Sequence, residues 1–315
     1  MYRIGVDLGG TNIVAGLVDD SDCRILAKAN TPTNIPRSPE EIFADIARVC
    51  REAAQSAGVD MSEVRSVGVG TPGSVNKETG VIEFSNNLEF NNVPAASMLE
   101  ELIGRPVYLE NDANAAALGE AVAGAGHGVG NFVAITLGTG VGSGIIVDGK
   151  LVVGSNYCAG EMGHTVIVFD GEQCNCGRRG CWERYASATA LISQTKAAML
   201  GDKESVMWKL CPDIDKVSGR TAWNAMREGD ATAKKVVERY IEYVAAGITN
   251  IVNTFQPDMV CVGGGISNEG ENLLAPLREI VARDRYSRYA AKQTLICKAE
   301  LGNDAGVIGA ALLDE

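Results

Sequence analysis

The chain has 315 residues, long enough to bury two hydrophobic cores, and its 46% hydrophobic and 22% charged residues are those of a globular protein. A formal net charge of −12 argues against a nucleic-acid backbone as the main partner, because binding one needs clustered Lys and Arg; a single nucleotide, which backbone N–H groups can hold, stays open. No apolar run approaches the roughly 20 residues of a membrane span, MYRIGVDLGG carries no basic-then-apolar leader, and nine cysteines without such a leader read as reduced thiols plus a metal site, so a cytoplasmic protein without a membrane partner is expected.

In chain order, Tyr2–Asp7 reads as a strand closed by Gly9-Gly10, followed by strand-like runs at Ile13–Val18 and Arg24–Ala27, a meander with DLGGTN as its first turn. Ser38-Pro39-Glu40-Glu41 is a helix start. Ser38 is the N-cap, Pro39 stands at the first helical position, and Glu41 completes a capping box. Ile42, Phe43, Ile46, Val49, Cys50 and Ala53 follow at helical spacing, and Gly58 ends the run. Val64–Val69 reads as a buried strand, Ala95–Ile103 as a short helix and Pro106–Leu109 as a strand leading into Glu110-Asn111-Asp112. An alanine-rich helix begins at Ala113 and breaks in Gly124–Gly130. The domain division is placed in this stretch: 1–113 as an N-terminal α/β domain and 114–315 as a C-terminal α/β domain, whose terminal helix can pack back on the first. Asn131–Leu137 and Ser143–Val147 then flank a second glycine turn, GTGVG. Helices are expected at Tyr185–Leu200, Ala231–Thr254, Asn272–Ala282 and 304–313, with strands at Met259–Val262 and Thr294–Lys298.

Four stretches carry chemistry. His164, Cys174, Cys176 and Cys181 supply one imidazole nitrogen and three thiolates, a set that suits a closed tetrahedral Zn2+ site, with Gly177 and Gly180 available for tight turns. A disulfide is the competing reading, which C-x-C spacing and a reducing compartment disfavour. Gly9, Gly10, Gly138, Gly140 and Gly142, with the hydroxyls of Thr11 and Thr139, form either anion nests for phosphates or plain hairpin turns. The two turns lie in separate halves, and halves facing each other across a cleft would aim both at one ligand, distant from the metal. No G-x-x-x-x-G-K-[ST] is present, and Pro72 removes a donor from Gly68–Gly73, against a dinucleotide loop. Asp112 is either the N-cap of the alanine-rich helix or a general base that the helix N-terminus keeps ionised. Asn111 and Asn114 beside it suit the hydroxyls of a polyol.

Asp7–Thr11, Glu110–Ala116, Leu137–Gly142, Glu161–His164, Cys174–Glu183 and Gly302–Gly306 together resemble the ROK family of sugar kinases and related repressors. The resemblance runs from residue 7 to 313 and implies an actin/hexokinase-like ATPase fold, α/β, with two domains and a cleft between them. It implies that Asp112 is the catalytic base, that Asn111, Glu161 and Glu183 bind the other sugar hydroxyls, and that Gly73 and Asn87 line the same pocket. His164 would both ligate a structural zinc and touch the sugar. Asp7 would position Mg2+ or its water, Gly9, Gly10, Thr11, Asn12, Gly138, Thr139 and Gly140 would hold ATP, and Gly264-Gly265 would face the adenosine. The family's repressors carry a helix-turn-helix domain ahead of DLGGT, for which no room stands before Asp7, so a DNA-binding repressor is not expected, and Asp112 with both phosphate loops favours an enzyme over a non-catalytic sugar sensor. The C-x-C-G-x-x-G-C-x-E spacing resembles the branch phosphorylating glucose, with N-acetylmannosamine or N-acetylglucosamine as the alternative substrate. A homodimer is what the resemblance implies for assembly.

Overall fold

The computed structural model describes residues Met1–Asp314, and the chain divides into two compact units. The first comprises Met1–Ala134, Ser143–Gly160 and the chain from Ala299 onward; the second comprises Ile135–Gly142 and Glu161–Lys298.

In the first unit β1 (Tyr2–Leu8), β2 (Asn12–Asp19), β3 (Ile25–Pro32), β4 (Val64–Thr71) and β8 (Val107–Asn111) form one sheet in the order β3-β2-β1-β4-β8. The first three strands are antiparallel, as short turns allow; β4 and β8 run parallel to β1 and need crossovers. The crossover to β4 is α1 (Pro39–Ser56), which starts on the expected capping box with both Ser38 and Glu41 bonds made. It buries Ile42, Phe43, Ile46, Val49 and Cys50 against the sheet, and Phe43 meets Phe90 edge-on at 5.9 Å. The crossover to β8 holds α2 (Ala95–Ile103) and a small sheet of β5 (Ser74–Asn76), β6 (Val81–Ser85) and β7 (Phe90–Val93) that the sequence pattern did not reveal. These strands are three to five residues long and carry Glu83, Asn91 and Asn92, too short and polar for a clear alternation.

The following helix, α3 (Asp112–Ala123), belongs to the first unit, so the chain leaves that unit at Ala134 and not at residue 113. The cause is the terminal helix α10 (Ala305–Ala311), a run of small residues that lies at backbone distance from α3 and from the sheet. A Cβ on Gly309 would stand 1.7 Å from Ala115 O, and one on Gly5 would stand 1.8 Å from Val307 O. Only glycine admits such approach. Beyond α10, Asp314 receives Arg3, Arg65 and the Ser66 hydroxyl, each at 2.8–3.0 Å, which ties the end of the chain to β1 and β4.

A second sheet contains β9 (Phe132–Leu137), β10 (Val141–Val147), β11 (Lys150–Leu151), β12 (Met259–Gly263) and β13 (Leu295–Lys298) in the order β11-β10-β9-β12-β13. Counted within each sheet, both orders read third, second, first, fourth, fifth, and each glycine turn joins a first strand to a second. The echo between DLGGT and LGTGVG is therefore an echo of topology. Between Glu161 and Lys298 the second unit is mostly helical: α4 (Glu183–Ala186), α5 (Ala188–Gly201), α6 (Val206–Leu210), α7 (Thr221–Arg227), the 25-residue α8 (Ala231–Phe255) and α9 (Glu271–Asp284). The stretch expected as one helix from Tyr185 is broken at Ser187, whose hydroxyl caps α5 by accepting from Ala190 N–H. Among the described residues no helix is long and apolar enough to cross a membrane.

Candidate active site and metal centre

In the first unit the end of β8 and the start of α3 form a carboxylate-bearing corner. Asn111, not Asp112, is the N-cap: its Oδ1 accepts from Ala113 N–H at 2.9 Å and Asn114 N–H at 3.2 Å. Asp112 is thereby the first helical residue, and its Oδ1 accepts from the neighbouring Ala113 N–H at 2.8 Å. Asn111 Nδ2 donates to Gly73 O at 3.2 Å, which joins the corner to the loop after β4. Gly73 has φ 107° and its Cβ position lies 2.1 Å from Phe84 O, so no side chain fits there.

The acidity of this corner is not set by helix position alone. A helix N-terminus favours ionised Asp112, yet burial pushes its carboxyl above the ordinary range, outweighing the Ala113 N–H bond that pulls it down. Asp7, at the end of β1, is pushed from 3.8 up to about 6, first by burial and then by the charge of Asp112. Two buried carboxylates, one raised by the charge of the other, offer the donor chemistry of a hard divalent cation. The Cβ position of Gly306 is 3.4 Å from the Asp7 carboxyl, so a small residue borders this space. Gly9 N–H donates to Asn12 O at 2.9 Å and Gly9 O accepts from the Thr33 hydroxyl at 2.7 Å, which shapes the first glycine turn. Asn87 is exposed, with its Cβ 3.9 Å from the Cβ position of Gly10.

Sequence reasoning assigned no role to Glu110. Its carboxylate is buried, and Oε1 accepts from Asn111 N–H at 3.0 Å and Asn114 Nδ2 at 3.1 Å. It holds the capping residue in place from below. The signal was a Glu–Asn pair four apart across a strand-to-helix junction, which is legible only once that junction is located.

In the second unit the four metal-ligand candidates converge. The ligating atoms of His164, Cys174, Cys176 and Cys181 all lie within 4.8 Å of one another. Cys174 Sγ stands 3.7 Å from His164 Nδ1, and Cys176 Sγ stands 3.6 Å from Cys181 Sγ. Tetrahedral ligands at zinc's usual bond lengths are about 3.5–3.8 Å apart, so the donor set fits that ion. Gly177 and Gly180 turn the chain with φ 91° and 78°, as the spacing required. Burial pushes the Cys174 thiol up to about 12, so binding a metal there displaces a proton.

Glu183 is the first residue of α4, two places after Cys181. Its Oε1 accepts from Cys174 Sγ at 3.3 Å and lies 3.8 Å from His164 Nδ1. Trp182, fully buried, anchors this step by donating its indole N–H to Tyr243 O at 2.8 Å. Glu161 is exposed at the start of the turn Met162–His164. The second glycine turn lies beside the metal residues and is not distant from them. Gly138 N–H donates to Gly140 O at 3.0 Å, and a Cβ on Gly140 would stand 2.5 Å from Glu183 Oε2. Gly264, with φ 82°, brings the end of β12 within 2.4 Å (Cβ position) of Leu137 O, and Gly265 opens a 3-10 turn.

Comparison with known proteins places these sites in context. Residues 3–315 match the ROK family. The glucokinase of Thermotoga maritima is 38% identical over 309 residues, 98% of this chain and 95% of that protein. Among solved structures, the ROK family glucokinase of Streptomyces griseus in complex with glucose and AMPPNP is 37% identical with a TM-score of 0.85, covering 99% of both chains. The ROK hexokinase of Thermus thermophilus is 34% identical with a TM-score of 0.83, over 99% of this chain and 97% of its own.

Proposed function

The chain belongs to the ROK family, and on that premise we propose that it is a sugar kinase transferring the γ-phosphoryl group of ATP to a hydroxyl of glucose, giving glucose 6-phosphate. Near-complete coverage by glucokinases at 38% and 37% identity supports the substrate, and the S. griseus enzyme's complex with glucose and AMPPNP supports the nucleotide. The observation that carries the mechanism is the Asn111–Asp112 corner, where one residue caps the helix and leaves the carboxylate of the next available.

Asp112 takes the proton of the attacking sugar hydroxyl as its oxygen bonds to the γ-phosphorus. The bond from that phosphorus to the bridging oxygen breaks, and ADP leaves with the electron pair. The raised pKa of Asp112 keeps it a stronger base than an exposed aspartate, matched to a hydroxyl that becomes acidic only in the transition state. Asn111, Glu161, His164 and Glu183, with Gly73 and Asn87, orient the remaining hydroxyls. His164 suits this role because Nδ1 faces the sulfurs and leaves Nε2 for a hydroxyl. Backbone donors of Gly10, Thr11, Thr139 and Gly140, beside Gly9, Asn12 and Gly138, receive the phosphates; Gly264 and Gly265 border the adenosine. Asp7 holds Mg2+ or its water, which supplies charge neutralisation on the phosphoryl oxygens. His164, Cys174, Cys176 and Cys181 hold a structural zinc that fixes the imidazole and the segment bearing Glu183.

The test is a panel of hexoses and N-acetylhexosamines with Mg-ATP, read as kcat/KM by coupled ADP release. Glucose should lead by at least about tenfold. A lead for an N-acetylhexosamine would overturn the substrate while keeping the reaction, and no sugar-dependent ADP release would overturn the reaction.

A further inference from the structure

Glu183 touches two sites at once. One carboxylate oxygen stands 3.3 Å from Cys174 Sγ and 3.8 Å from His164 Nδ1; the other occupies the space where a side chain on Gly140 would begin, 2.5 Å from its Cβ position. The loop is supported from the other flank as well. Gly163, next to His164, packs so closely that its Cβ position is 2.2 Å from Val141 O. Gly138 O also accepts from Ala188 N–H at 2.9 Å, at the start of α5. The residues carrying two of the four metal ligands, His164 and Cys181, thus adjoin the two segments that flank the Gly138–Gly142 turn.

We propose that Glu183 is a positioning residue that couples zinc binding to the shape of the Gly138–Gly142 turn, so that zinc and nucleotide each tighten the binding of the other. This rests on the reading of that turn as a phosphate loop. Zinc ties His164 to Cys181, and those ties hold Gly163 against Val141 and Glu183 against Gly140. Without the metal the segments keep their backbone bonds, Trp182 N–H to Thr165 O at 2.8 Å and Ile167 N–H to Gly180 O at 3.0 Å, but the four ligand side chains keep only weak thiol contacts, and the loop loses part of its lateral support. Donors aimed at phosphate oxygens must be held within about 0.5 Å to act together. Linkage makes the effect mutual: the factor by which zinc raises nucleotide affinity is the factor by which nucleotide raises zinc affinity. Gly140 is then a glycine because Glu183 fills its side-chain space, while Gly138, with nothing within 4 Å of its Cβ position, is its matched control.

The experiment measures zinc retention against a colorimetric chelator for the wild type, Gly140→Ala, Gly138→Ala, Glu183→Asp and the double variant Gly140→Ala/Glu183→Asp. Binding of a non-hydrolysable ATP analogue is titrated in parallel to zinc-loaded and zinc-stripped wild type. Gly140→Ala should lower zinc affinity by about 10–100-fold, the range for disturbed supporting contacts. Gly138→Ala should leave it unchanged. The shorter carboxylate should relieve the collision, so the double variant should retain zinc as well as Glu183→Asp alone, a non-additivity that general misfolding would not produce. The analogue should bind about tenfold more weakly to stripped protein and should slow zinc release from loaded protein by a similar factor. Equal zinc retention by the two glycine variants, or additive losses in the double variant, would overturn the role of Glu183. Analogue binding that is blind to zinc would overturn the coupling alone. Zinc-loaded wild type that binds no analogue would overturn the phosphate-loop reading and the coupling with it.

Discussion

Asp7 should cost this protein stability at neutral pH, and Asp7→Asn should return it. Its carboxyl is raised from 3.8 to about 6 in the fold, first by burial and then by the charge of Asp112. The folded protein therefore holds that proton more tightly than the unfolded chain. The resulting stabilisation is complete below about pH 4 and is lost as pH rises through about 6, above which the full penalty of a buried charge remains. A shift of about two units at about 1.4 kcal/mol each comes to about 3 kcal/mol, and partial exposure of the side chain brings the expectation nearer 2. Asparagine fills the same space without the charge. Urea melts of zinc-loaded, magnesium-free protein should show Asp7→Asn more stable than wild type by about 2 kcal/mol at pH 7.5, shrinking to near zero at pH 4. The same variant should lose activity, since an amide cannot neutralise a cation. A variant no more stable than wild type at pH 7.5, or a gain that ignores pH, would refute the electrostatic reasoning. Asp112→Asn supplies a cross-check: removing the neighbouring charge should lower the Asp7 midpoint, read by the pH at which the stability difference vanishes.

Other outcomes follow from named contacts. Asp112→Asn should lower kcat by about 10²–10⁴-fold with sugar affinity nearly unchanged, and a variant keeping more than about a tenth of wild-type kcat would return Asp112 to a structural role. The acid limb of kcat/KM against pH should lie above the ordinary carboxylate range, because Asp112 acts only when ionised and burial raises it; Asp7, pushed up to about 6, titrates as well. Cys176→Ser should lose zinc, measured by metal analysis, and bind sugar at least about tenfold more weakly; normal sugar binding without zinc would separate metal from substrate. Gly309→Ala puts a methyl where Ala115 O stands 1.7 Å away and should destabilise the first unit by about 3 kcal/mol or more, seen as a lower urea midpoint. A neutral result there would mean α10 can move off α3.

What the sequence determined by itself was whatever a few neighbouring residues settle among themselves. The Ser38–Glu41 capping box formed as read, because its donors and acceptors lie within one helical turn. The knuckle of Cys174, Cys176 and Cys181 closed as its spacing implied, since Gly177 and Gly180 supply the turns locally, and His164 returns to it from only ten residues away. The two glycine turns were legible for the same reason. Tertiary structure alone decided the matters that depend on distant neighbours. The cap fell to Asn111, whose N–H the buried Glu110 accepts, and the acidity of Asp112 followed burial more than its place on the helix. The small sheet of β5, β6 and β7 has too few residues per strand to show a period of two. The contact of Glu183 with Gly140, and of α10 with α3, joins segments whose separation no local pattern encodes. Hydrogen bonding within a turn is short-ranged and repeats with the chain, whereas desolvation and close packing are set by whichever surfaces the completed fold brings together.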